Sequence, residues 1–407
     1  MNPIRDKRIL LGVTGSIAAY KAADLASKLA QAGGIVDTIL TLSATQFVAP
    51  LTFQSVTGRR AYTDADLWGA EGHVQHIGLA KNAALMLIAP ASANTLAKLA
   101  HGLADNLLTV TALAAACPLL VAPAMDGGMF EHPATQANLG VLRERNVQVI
   151  GPAAGHLASG MSGQGRMVEP NELVGWVRLA LARHGPLAGR KVVVTAGGTQ
   201  EPIDPVRVIS NRSSGKQGFA LAQAALDFGA EVILISGPVF LETPCGATRV
   251  DVQNSEEMLA AVLAAIPGAD VLAMAAAVAD FRPSIPAKNK LKRDAGIPEI
   301  HLEATPDILQ RVAGVREKSN WPRFTVGFAA ESRDLLANAQ AKLRAKRLDM
   351  IAANDISAHD AGFEVDTNRI TLLTPDGHAE ALPLMTKTEV ADRIMERVAA
   401  CLKPESA

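Results

Sequence analysis

Two stretches of this 407-residue chain combine glycine, hydroxyl and basic or capping side chains in a way that suits a bound phosphate. The longer one, Lys191–Ala222, starts as an apolar strand, breaks at Gly197-Gly198 and runs through a polar loop into a glycine-led helix. The shorter one, Gly12–Ser16, also follows a strand and opens a helix. Backbone N–H groups at a helix start, together with hydroxyls and a lysine, can hold a phosphate. Two such sites favour an enzyme with two activities.

Three loops of the N-terminal half carry small or hydroxyl side chains at the predicted carboxyl ends of strands. Ligands of open parallel sheets bind at that edge, so the loops predict a mononucleotide pocket. Ser16 is expected to cap the next helix and to donate to a phosphate. A turn of this kind also occurs for purely structural reasons, and one such turn alone decides nothing. The residues predicted to bind a cofactor here are Gly15, Ser16, Ser43, Thr45, Ser92, Ala93 and Asn94.

Apolar runs that alternate with helical patterns must position these loops. Short runs rich in Val, Ile and Leu are typical of strands buried on both faces of a parallel sheet. The alternation predicts a doubly wound α/β fold. The N-terminal half is predicted to contain strands at Arg8–Val13, Val36–Thr41, Leu85–Ala89 and Leu119–Ala122, and helices at Ser16–Ala32, Thr95–Ala100 and Asp105–Ala116.

A second copy of the pattern begins after a Gly- and Pro-containing segment, His184–Gly189, which is predicted to be a linker. We therefore expect two domains, residues 1–185 and 186–407. The C-terminal domain is predicted to contain strands at Val192–Thr195, Val232–Ser236 and Val271–Ala276, helices at Lys216–Phe228, Ser255–Ala265 and Thr388–Leu402, a basic loop at Lys288–Arg293, and a hairpin that joins Arg369–Leu373 to Glu380–Leu384.

The composition excludes several classes of partner. The chain is 49% hydrophobic and 19% charged, with a formal net charge of −1, so it has no general attraction for nucleic acid or an anionic membrane. Cys117, Cys245 and Cys401 are isolated, which supports neither a disulfide framework nor a zinc site. The N-terminus lacks a signal-peptide pattern, and the run Thr111–Met125 is too short to span a bilayer. We expect a cytoplasmic protein with small-molecule substrates.

The N-terminal half resembles the flavin-containing cysteine decarboxylases, and among them the phosphopantothenoylcysteine decarboxylases of coenzyme A synthesis. The resemblance implies FMN bound by the edge loops in a flavodoxin-like domain, oxidation of the substrate thiol to a thioaldehyde, loss of carbon dioxide and return of the electrons. It also makes His76 the catalytic histidine, and an imidazole titrates in the range that a base needs. A surface histidine or a metal pair with His73 are the alternatives. The matching motifs are Gly15–Lys21, His76-Ile77, Ala89–Asn94, Pro123–Met125 and Gly163–Met167.

Two positions depart from that family's pattern. Asp126 stands where an asparagine usually orients the substrate carboxylate, and a second carboxylate there repels the substrate unless it is protonated or paired again. Ser159 stands where a flap cysteine usually donates a proton, and a hydroxyl is a much poorer acid than a thiol of pKa about 8.5. Either Asp126 and Ser159 do the same work in a natural subtype, or this half has lost part of its cycle.

The C-terminal half resembles the phosphopantothenate–cysteine ligase domain over nearly all of residues 190–400, through Thr195–Thr199, Glu201–Arg207 and Ser210–Lys216. The resemblance implies CTP and Mg²⁺: the carboxylate of 4′-phosphopantothenate attacks the α-phosphate, pyrophosphate leaves, and cysteine then displaces CMP. It assigns Asn211 to the acyl-cytidylate and Lys290 to the charge that develops in phosphoryl transfer. The implied CTP contacts are Asp280, Lys290, Pro306, Asp307, Ile308, Phe328, Lys342 and Lys346, with the metal ligands unknown.

Together these resemblances predict a bifunctional enzyme that makes 4′-phosphopantetheine from 4′-phosphopantothenate, cysteine and CTP. They imply two Rossmann-like domains and a homo-oligomer with trimeric flavin domains and dimeric ligase domains. Two other functions stay open: a ligase whose flavin domain serves only as an oligomeric scaffold, and a flavin-binding regulatory protein.

Overall fold

The computed structural model of the chain describes residues 1–68, 75–158, 160, 162–292, 297–331, 334–355 and 365–402. The chain divides into two compact units. One is Asn2–Leu181, and the other is Ala182–Ala407 together with Met1. Each unit is built around a parallel sheet, as the alternating apolar runs predict.

The N-terminal unit contains a 6-stranded sheet in the order β3-β2-β1-β4-β5-β6, with every neighbouring pair parallel. The central strands β1 and β4 are almost completely buried because helices cover both faces of such a sheet. An antiparallel pair, β7 and β8, lies outside it and is absent from the sequence prediction. The strands are β1 Arg8–Val13, β2 Ile35–Leu40, β3 Ala61–Thr63, β4 Leu85–Ala91, β5 Leu119–Pro123, β6 Gln148–Val149, β7 Ala153–His156 and β8 Ser162–Arg166.

The first helix begins three residues later than the sequence predicts. Ala18 occupies its N-cap and offers no capping hydrogen bond from a side chain. The prediction that Ser16 caps this helix is therefore wrong: the Ser16 hydroxyl accepts from the Ala18 N–H at 3.3 Å inside the preceding turn. The helices of this unit are α1 Ala19–Gln31, α2 Pro50–Thr57, α3 Gln75–Asn82, α4 Ala93–His101, α5 Leu107–Ala114, α6 Gly127–Glu131, α7 Pro133–Glu144 and α8 Pro170–Ala182, whose last residue belongs to the second unit.

The C-terminal unit has an 8-stranded sheet in the order β13-β12-β9-β14-β17-β18-β20-β21. The pairs from β13 to β18 are parallel, and β20 and β21 extend the sheet as the predicted antiparallel hairpin. Three further antiparallel pairs are β10–β11, β15–β16 and β19–β22. The strands are β9 Lys191–Ala196, β10 Gln200–Pro202, β11 Val208–Ser210, β12 Glu231–Ser236, β13 Ala247–Asp251, β14 Val271–Met274, β15 Phe281–Pro283, β16 Leu302–Ala304, β17 Phe324–Glu331, β18 Met350–Asp355, β19 Thr367–Asn368, β20 Ile370–Leu373, β21 Ala379–Ala381 and β22 Met385–Thr386.

Five helices lie in the described part of the C-terminal unit, and the segment predicted as a linker is packed against this unit. Leu187 is fully buried, and its N–H donates to the Phe228 carbonyl at 2.8 Å. Gly185 sits so close to Phe228 that a Cβ at residue 185 would lie 2.3 Å from the Phe228 carbonyl oxygen. The helices are α9 Lys216–Asp227, α10 Ser255–Ala265, α11 Ile308–Ser319, α12 Leu335–Ala345 and α13 Lys387–Cys401. None of the described helices combines the length and apolarity that a membrane-spanning helix needs.

Candidate active sites

A buried threonine connects two of the predicted flavin loops in the N-terminal unit. Thr14 is 1% exposed, and its hydroxyl donates to the Pro90 carbonyl at 2.7 Å and accepts from the Ser92 N–H at 2.9 Å. The next loop joins them, because the Ala124 N–H donates to the Ala91 carbonyl at 3.1 Å. The carboxyl ends of β1, β4 and β5 therefore form one connected surface.

The loop after β2 packs against the same surface. A Cβ at residue 15 would lie 2.5 Å from the Ser43 Cβ, so only glycine allows this approach. The Thr45 hydroxyl donates to the Leu42 carbonyl at 2.7 Å, which leaves its lone pairs for another donor. Ser92 caps α4 by accepting from the Thr95 N–H at 3.4 Å. The structure thus places Gly15, Ser43 and Ser92 at one edge, with Ser16 and Thr45 in the same turns and Ala93 and Asn94 at the start of α4.

His76 is the second residue of α3, which packs against α5 and also contacts β1. The ring is half-buried, and its Nδ1 is buried without a hydrogen-bond partner in the described part of the chain. An unpaired buried nitrogen is costly, so a ligand that supplies its partner is favoured there. His73, the alternative metal partner, lies outside the described residues.

The β7–β8 hairpin is joined to the loop that carries Asp126. The Met125 N–H donates to the Gly165 carbonyl at 3.0 Å, and a Cβ at residue 165 would lie 2.2 Å from the Met125 carbonyl oxygen. Asp126 caps the short helix α6, accepting from the Gly128 N–H at 3.0 Å. One carboxylate oxygen is therefore already hydrogen-bonded, which answers part of the expected repulsion. Ser159 lies outside the described residues.

Lys21, in the Gly15–Lys21 motif, supports the base of the same hairpin, a role that sequence reasoning missed. The residue is 9% exposed, and its ammonium lies 2.6 Å from the Glu169 carboxylate. Arg166, the last residue of β8, donates to the same carboxylate at 3.3 Å. Two cations on one carboxylate join α1 to the segment that follows the hairpin.

Replacing Gly165 by alanine is expected to displace the hairpin from the Asp126 loop, because the new methyl group has no room beside the Met125 carbonyl. Overpacking of this kind costs about 1–3 kcal/mol. Urea denaturation of the isolated variant measures the loss of stability. The matched control is Gly163→Ala in the same strand, where the nearest atom to a new Cβ is a Leu157 methyl carbon at 4.0 Å. Equal stability of the two variants contradicts the role given to Gly165.

The C-terminal unit contains an open cavity of about 980 Å³. Its wall is formed by the loop after β11, the start of α9, the loop after β14 and one face of α12. Most predicted ligase residues line it, whereas no sequence pattern marked three polar residues on its wall, Asn354, Asn368 and Lys387. The predicted residues on its wall are Asn211, Ser213, Ser214, Gly215, Asp280, Pro306, Asp307, Ile308, Phe328, Lys342 and Lys346.

The Gly197-Gly198 break positions Asn211. A Cβ at residue 198 would lie 2.8 Å from the Asn211 carbonyl oxygen, so the two backbones approach only with glycine at that position. The Asn211 amide donates to the Val278 carbonyl at 2.9 Å, and its side chain is exposed on the cavity wall. Thr199 is fully buried and accepts from the Ala279 N–H at 3.0 Å, which holds the loop that leads to Asp280.

Another part of the cavity wall is basic. Lys342 donates to the Phe328 carbonyl at 2.8 Å, and Lys346 is ion-paired with Asp307, the N-cap of α11. Burial opposes ionisation of Asp307, but hydrogen bonds from Lys346 and from the Gln310 N–H outweigh it, so the pKa of Asp307 lies below its ordinary value. The predicted spacing of Lys342 and Lys346 thus places both ammoniums beside the segment 306–308 and Phe328.

Lys290 is the predicted residue that the structure does not bring to this wall. It is exposed in the loop after β15 and is not among the residues that line the cavity. Its part in the reaction therefore requires that its side chain reaches the nucleotide from this loop or meets the cavity of another copy of the chain, and it stays a prediction.

Lys387, the first residue of α13, is only 6% exposed although it is a lysine. Burial, and next the charge of Lys216, lower the pKa of Lys387. The Gln217 side chain donates to the Lys387 carbonyl at 3.2 Å and accepts from Asn368 at 2.9 Å. These contacts hold α9, α13 and β19 together behind the cavity.

Replacing Lys346 by methionine is expected to raise the pKa of Asp307, because the burial that opposes ionisation remains while the cation is gone. The pair stabilises the fold fully above the ordinary aspartate pKa of about 3.9, and this contribution is lost as pH falls through the lower folded value. A carboxyl-carbon NMR titration of Asp307 measures the shift. A pKa that is the same in both proteins contradicts the pairing. Lys318→Met, on an exposed part of α11, is the control.

Comparison with known proteins gives a separate family match for each of the two units. Residues 2–181 match the family model described as Flavoprotein, and residues 187–402 match the one described as DNA/pantothenate metabolism flavoprotein C-terminal domain. The relative named coenzyme A biosynthesis bifunctional protein CoaBC from Bacillus subtilis (strain 168) is 44% identical over 403 residues, 98% of each chain. The protein of that name from Mycobacterium tuberculosis (strain ATCC 25618 / H37Rv) is 44% identical over 408 residues, 97% of each chain.

Among solved structures, the C-terminal domain of a coenzyme A biosynthesis bifunctional protein CoaBC is 39% identical. The match covers 54% of this chain and 98% of that chain, with a TM-score of 0.46.

Proposed function

The chain belongs to the family of bifunctional coenzyme A biosynthesis proteins, and from this premise we propose that it makes 4′-phosphopantetheine in two steps. The C-terminal unit joins cysteine to 4′-phosphopantothenate with CTP, and the N-terminal unit decarboxylates the product with FMN. The observation that supports the proposal most strongly is the cavity of the C-terminal unit, whose wall combines Asn211, Asp280 and the Lys342–Lys346 pair.

In the ligase step, the substrate carboxylate attacks the α-phosphorus of CTP, and pyrophosphate leaves. Because the Asn211 amide gives one N–H to the Val278 carbonyl, its second N–H remains for the carbonyl oxygen of the acyl-cytidylate. Lys342 and Lys346 contribute positive charge to the same cavity, where the nucleotide is proposed to lie. The cysteine amine then attacks the acyl carbon, and CMP leaves.

The N-terminal unit fits a flavin mononucleotide at the edge that holds Gly15, Ser43 and Ser92. The loops offer hydroxyls and backbone N–H groups, and the buried, unpaired Nδ1 of His76 needs a partner. When bound, FMN supplies the reversible two-electron oxidation that loss of carbon dioxide requires. His76 is proposed to exchange the proton of the substrate, while the hairpin and Asp126, protonated or paired with a cation, hold the substrate carboxylate.

Mg²⁺ is proposed to enter with the CTP phosphates. Among the described residues, no group of three or more His, Cys, Asp or Glu side chains could hold a metal ion. Mg²⁺ at a nucleotide commonly needs only one or two carboxylates besides phosphates and water. We also propose the homo-oligomer that the resemblance implies, with trimeric flavin domains and dimeric ligase domains.

The purified protein is expected to convert 4′-phosphopantothenate, cysteine, CTP and Mg²⁺ to 4′-phosphopantetheine and carbon dioxide. Mass spectrometry identifies the product, and trapped carbon dioxide measures the second step. Accumulation of 4′-phosphopantothenoylcysteine with FMN bound instead supports the scaffold function, because Asp126 and Ser159 then fail to replace the usual residues. If neither product forms, the enzymatic proposal fails and the regulatory function is favoured.

The variant Lys290→Gln is expected to bind CTP but to slow formation of the acyl-cytidylate by about a hundredfold, since it loses charge stabilisation of the transition state. Pyrophosphate release in the absence of cysteine measures this step. Lys288→Gln, an exposed lysine in the same loop, is the matched control. Wild-type rates in the Lys290 variant remove this residue from the active site.

A further inference from the structure

A buried carboxylate in the β10–β11 turn accepts hydrogen bonds from five donor groups. Asp204 is 3% exposed. One of its oxygens accepts from the backbone N–H groups of Val206 and Arg207, each at 2.9 Å. The other accepts from two nitrogens of the Arg207 guanidinium. These bonds close the turn between Glu201 and Val208 around one negative charge.

The fifth donor comes from far along the chain. The Leu291 N–H donates to the Asp204 carboxylate at 3.1 Å, and the Leu291 carbonyl accepts from the Arg207 guanidinium at 2.9 Å. Both polar groups of Leu291 are therefore bound by the same ion pair. A second contact holds the start of this segment, because the Ala287 N–H donates to the Ile203 carbonyl at 2.9 Å.

The segment held at these two points contains Lys290. We propose that Asp204, through Arg207 and the backbone of Leu291, is the positioning residue for Lys290 in the ligase reaction. The inference rests on the proposed function for the part that Lys290 plays, but the contacts that carry it belong to Asp204, Arg207 and Leu291 alone.

The arrangement suits a loop that must present a cation without burying it. Lys290 itself is exposed, so the cavity wall does not fix its position. A lysine side chain has a large rotamer entropy, and an unanchored backbone would add to the cost of bringing the ammonium to the phosphate. With Leu291 bound on both its N–H and its carbonyl, the backbone next to Lys290 is already held, so less of the segment is left to order.

The charge state of Asp204 is consistent with a role as the anchor of the Lys290 loop. The hydrogen bonds from Arg207 hold the pKa of Asp204 well below its usual range, with smaller effects from the N–H groups of Val206 and Leu291. The carboxylate is therefore ionised at every pH at which the enzyme can work. The Lys290 loop has a constant anchor rather than a pH-dependent one.

A double-mutant cycle tests the proposal in the full-length protein. Pyrophosphate release without cysteine is measured for wild type, Asp204→Asn, Lys290→Gln and the double variant. Asp204→Asn replaces an acceptor by a donor that faces Arg207 and Leu291, so the segment that carries Lys290 loses its anchor. Misplacement of a reacting group costs up to about a hundredfold in rate. We expect a loss of about tenfold or more in the wild-type background and almost no further loss in the Lys290→Gln background.

The rate of cleavage by trypsin in the Lys290 loop provides a second readout. This rate does not change if Asp204 only stabilises another part of the structure. Asp204→Asn is expected to be cleaved faster after Lys288, Lys290 or Lys292, while its thermal midpoint and CTP affinity indicate a folded cavity. The matched control is Asp251→Asn, which breaks another aspartate–arginine pair of the same unit, 2.7 Å long, away from this loop. If Asp204→Asn does not fold, Arg207→Gln takes its place, because it leaves the backbone contacts of Asp204 intact.

Each outcome is decisive. Non-additive rate losses with faster cleavage support Asp204 as the positioning residue. Losses that multiply, or cleavage no faster than in the Asp251 control, overturn it while the ligase proposal stands. If wild type releases no pyrophosphate from CTP and 4′-phosphopantothenate, the ligase proposal itself fails, and the cleavage result alone then decides whether Asp204 anchors the loop.

Discussion

Buried threonine hydroxyls that bridge neighbouring strand ends are the contacts on which both candidate sites depend. A parallel sheet leaves the first backbone groups beyond each strand without partners in the ladder, and water cannot reach them once helices cover the sheet. Thr14 pairs such groups after β4, and Thr195 and Thr199 pair the N–H groups of Ala276 and Ala279 after β14. Each hydroxyl fixes one loop relative to another. The positions of the loops that form the two sites therefore depend on these hydrogen bonds.

Glycine is the second requirement for bringing these loops together, because it allows two backbones to approach closely. The threonine bridges bring loops together only if no Cβ stands between them. Two glycines meet this condition. A Cβ at residue 15 would lie 2.5 Å from the Ser43 Cβ, and a Cβ at residue 198 would lie 2.8 Å from the Asn211 carbonyl oxygen. The two units thus reach a similar solution with unrelated sequences: a small residue admits the second loop, and a hydroxyl holds it. The side chains that face a ligand can then vary without loss of the frame.

The sequence predicted the parts of this frame that depend on local patterns. The strands that apolar runs predicted agree with the structure to within about two residues, which is usual for element ends, and the glycine turns lie where strands end. Two central strands of the C-terminal sheet, β17 and β18, were not predicted. Contacts between distant residues could not be predicted: Asp204 and Leu291 are 87 positions apart, and nothing near either residue marks the other. The burial of Lys387 was not predicted either, because burial of a lysine is a tertiary effect that local pattern does not encode. Ser16 was wrongly assigned as a cap, because the chain makes an extra turn before α1.

The two units differ in what their departures from the family pattern cost. In the N-terminal unit, Asp126 is held by a backbone N–H at the start of α6, and an asparagine oxygen could accept the same bond. This hydrogen bond therefore does not require the charge, which leaves the effect of the charge on the substrate to be considered. A second anion there is tolerable only if a cation or a proton comes with it. In the ligase cavity, by contrast, Lys346 is paired with Asp307 and Lys342 donates to the Phe328 carbonyl before any nucleotide binds. The physical problem left for this chain lies in the charge balance of the flavin unit.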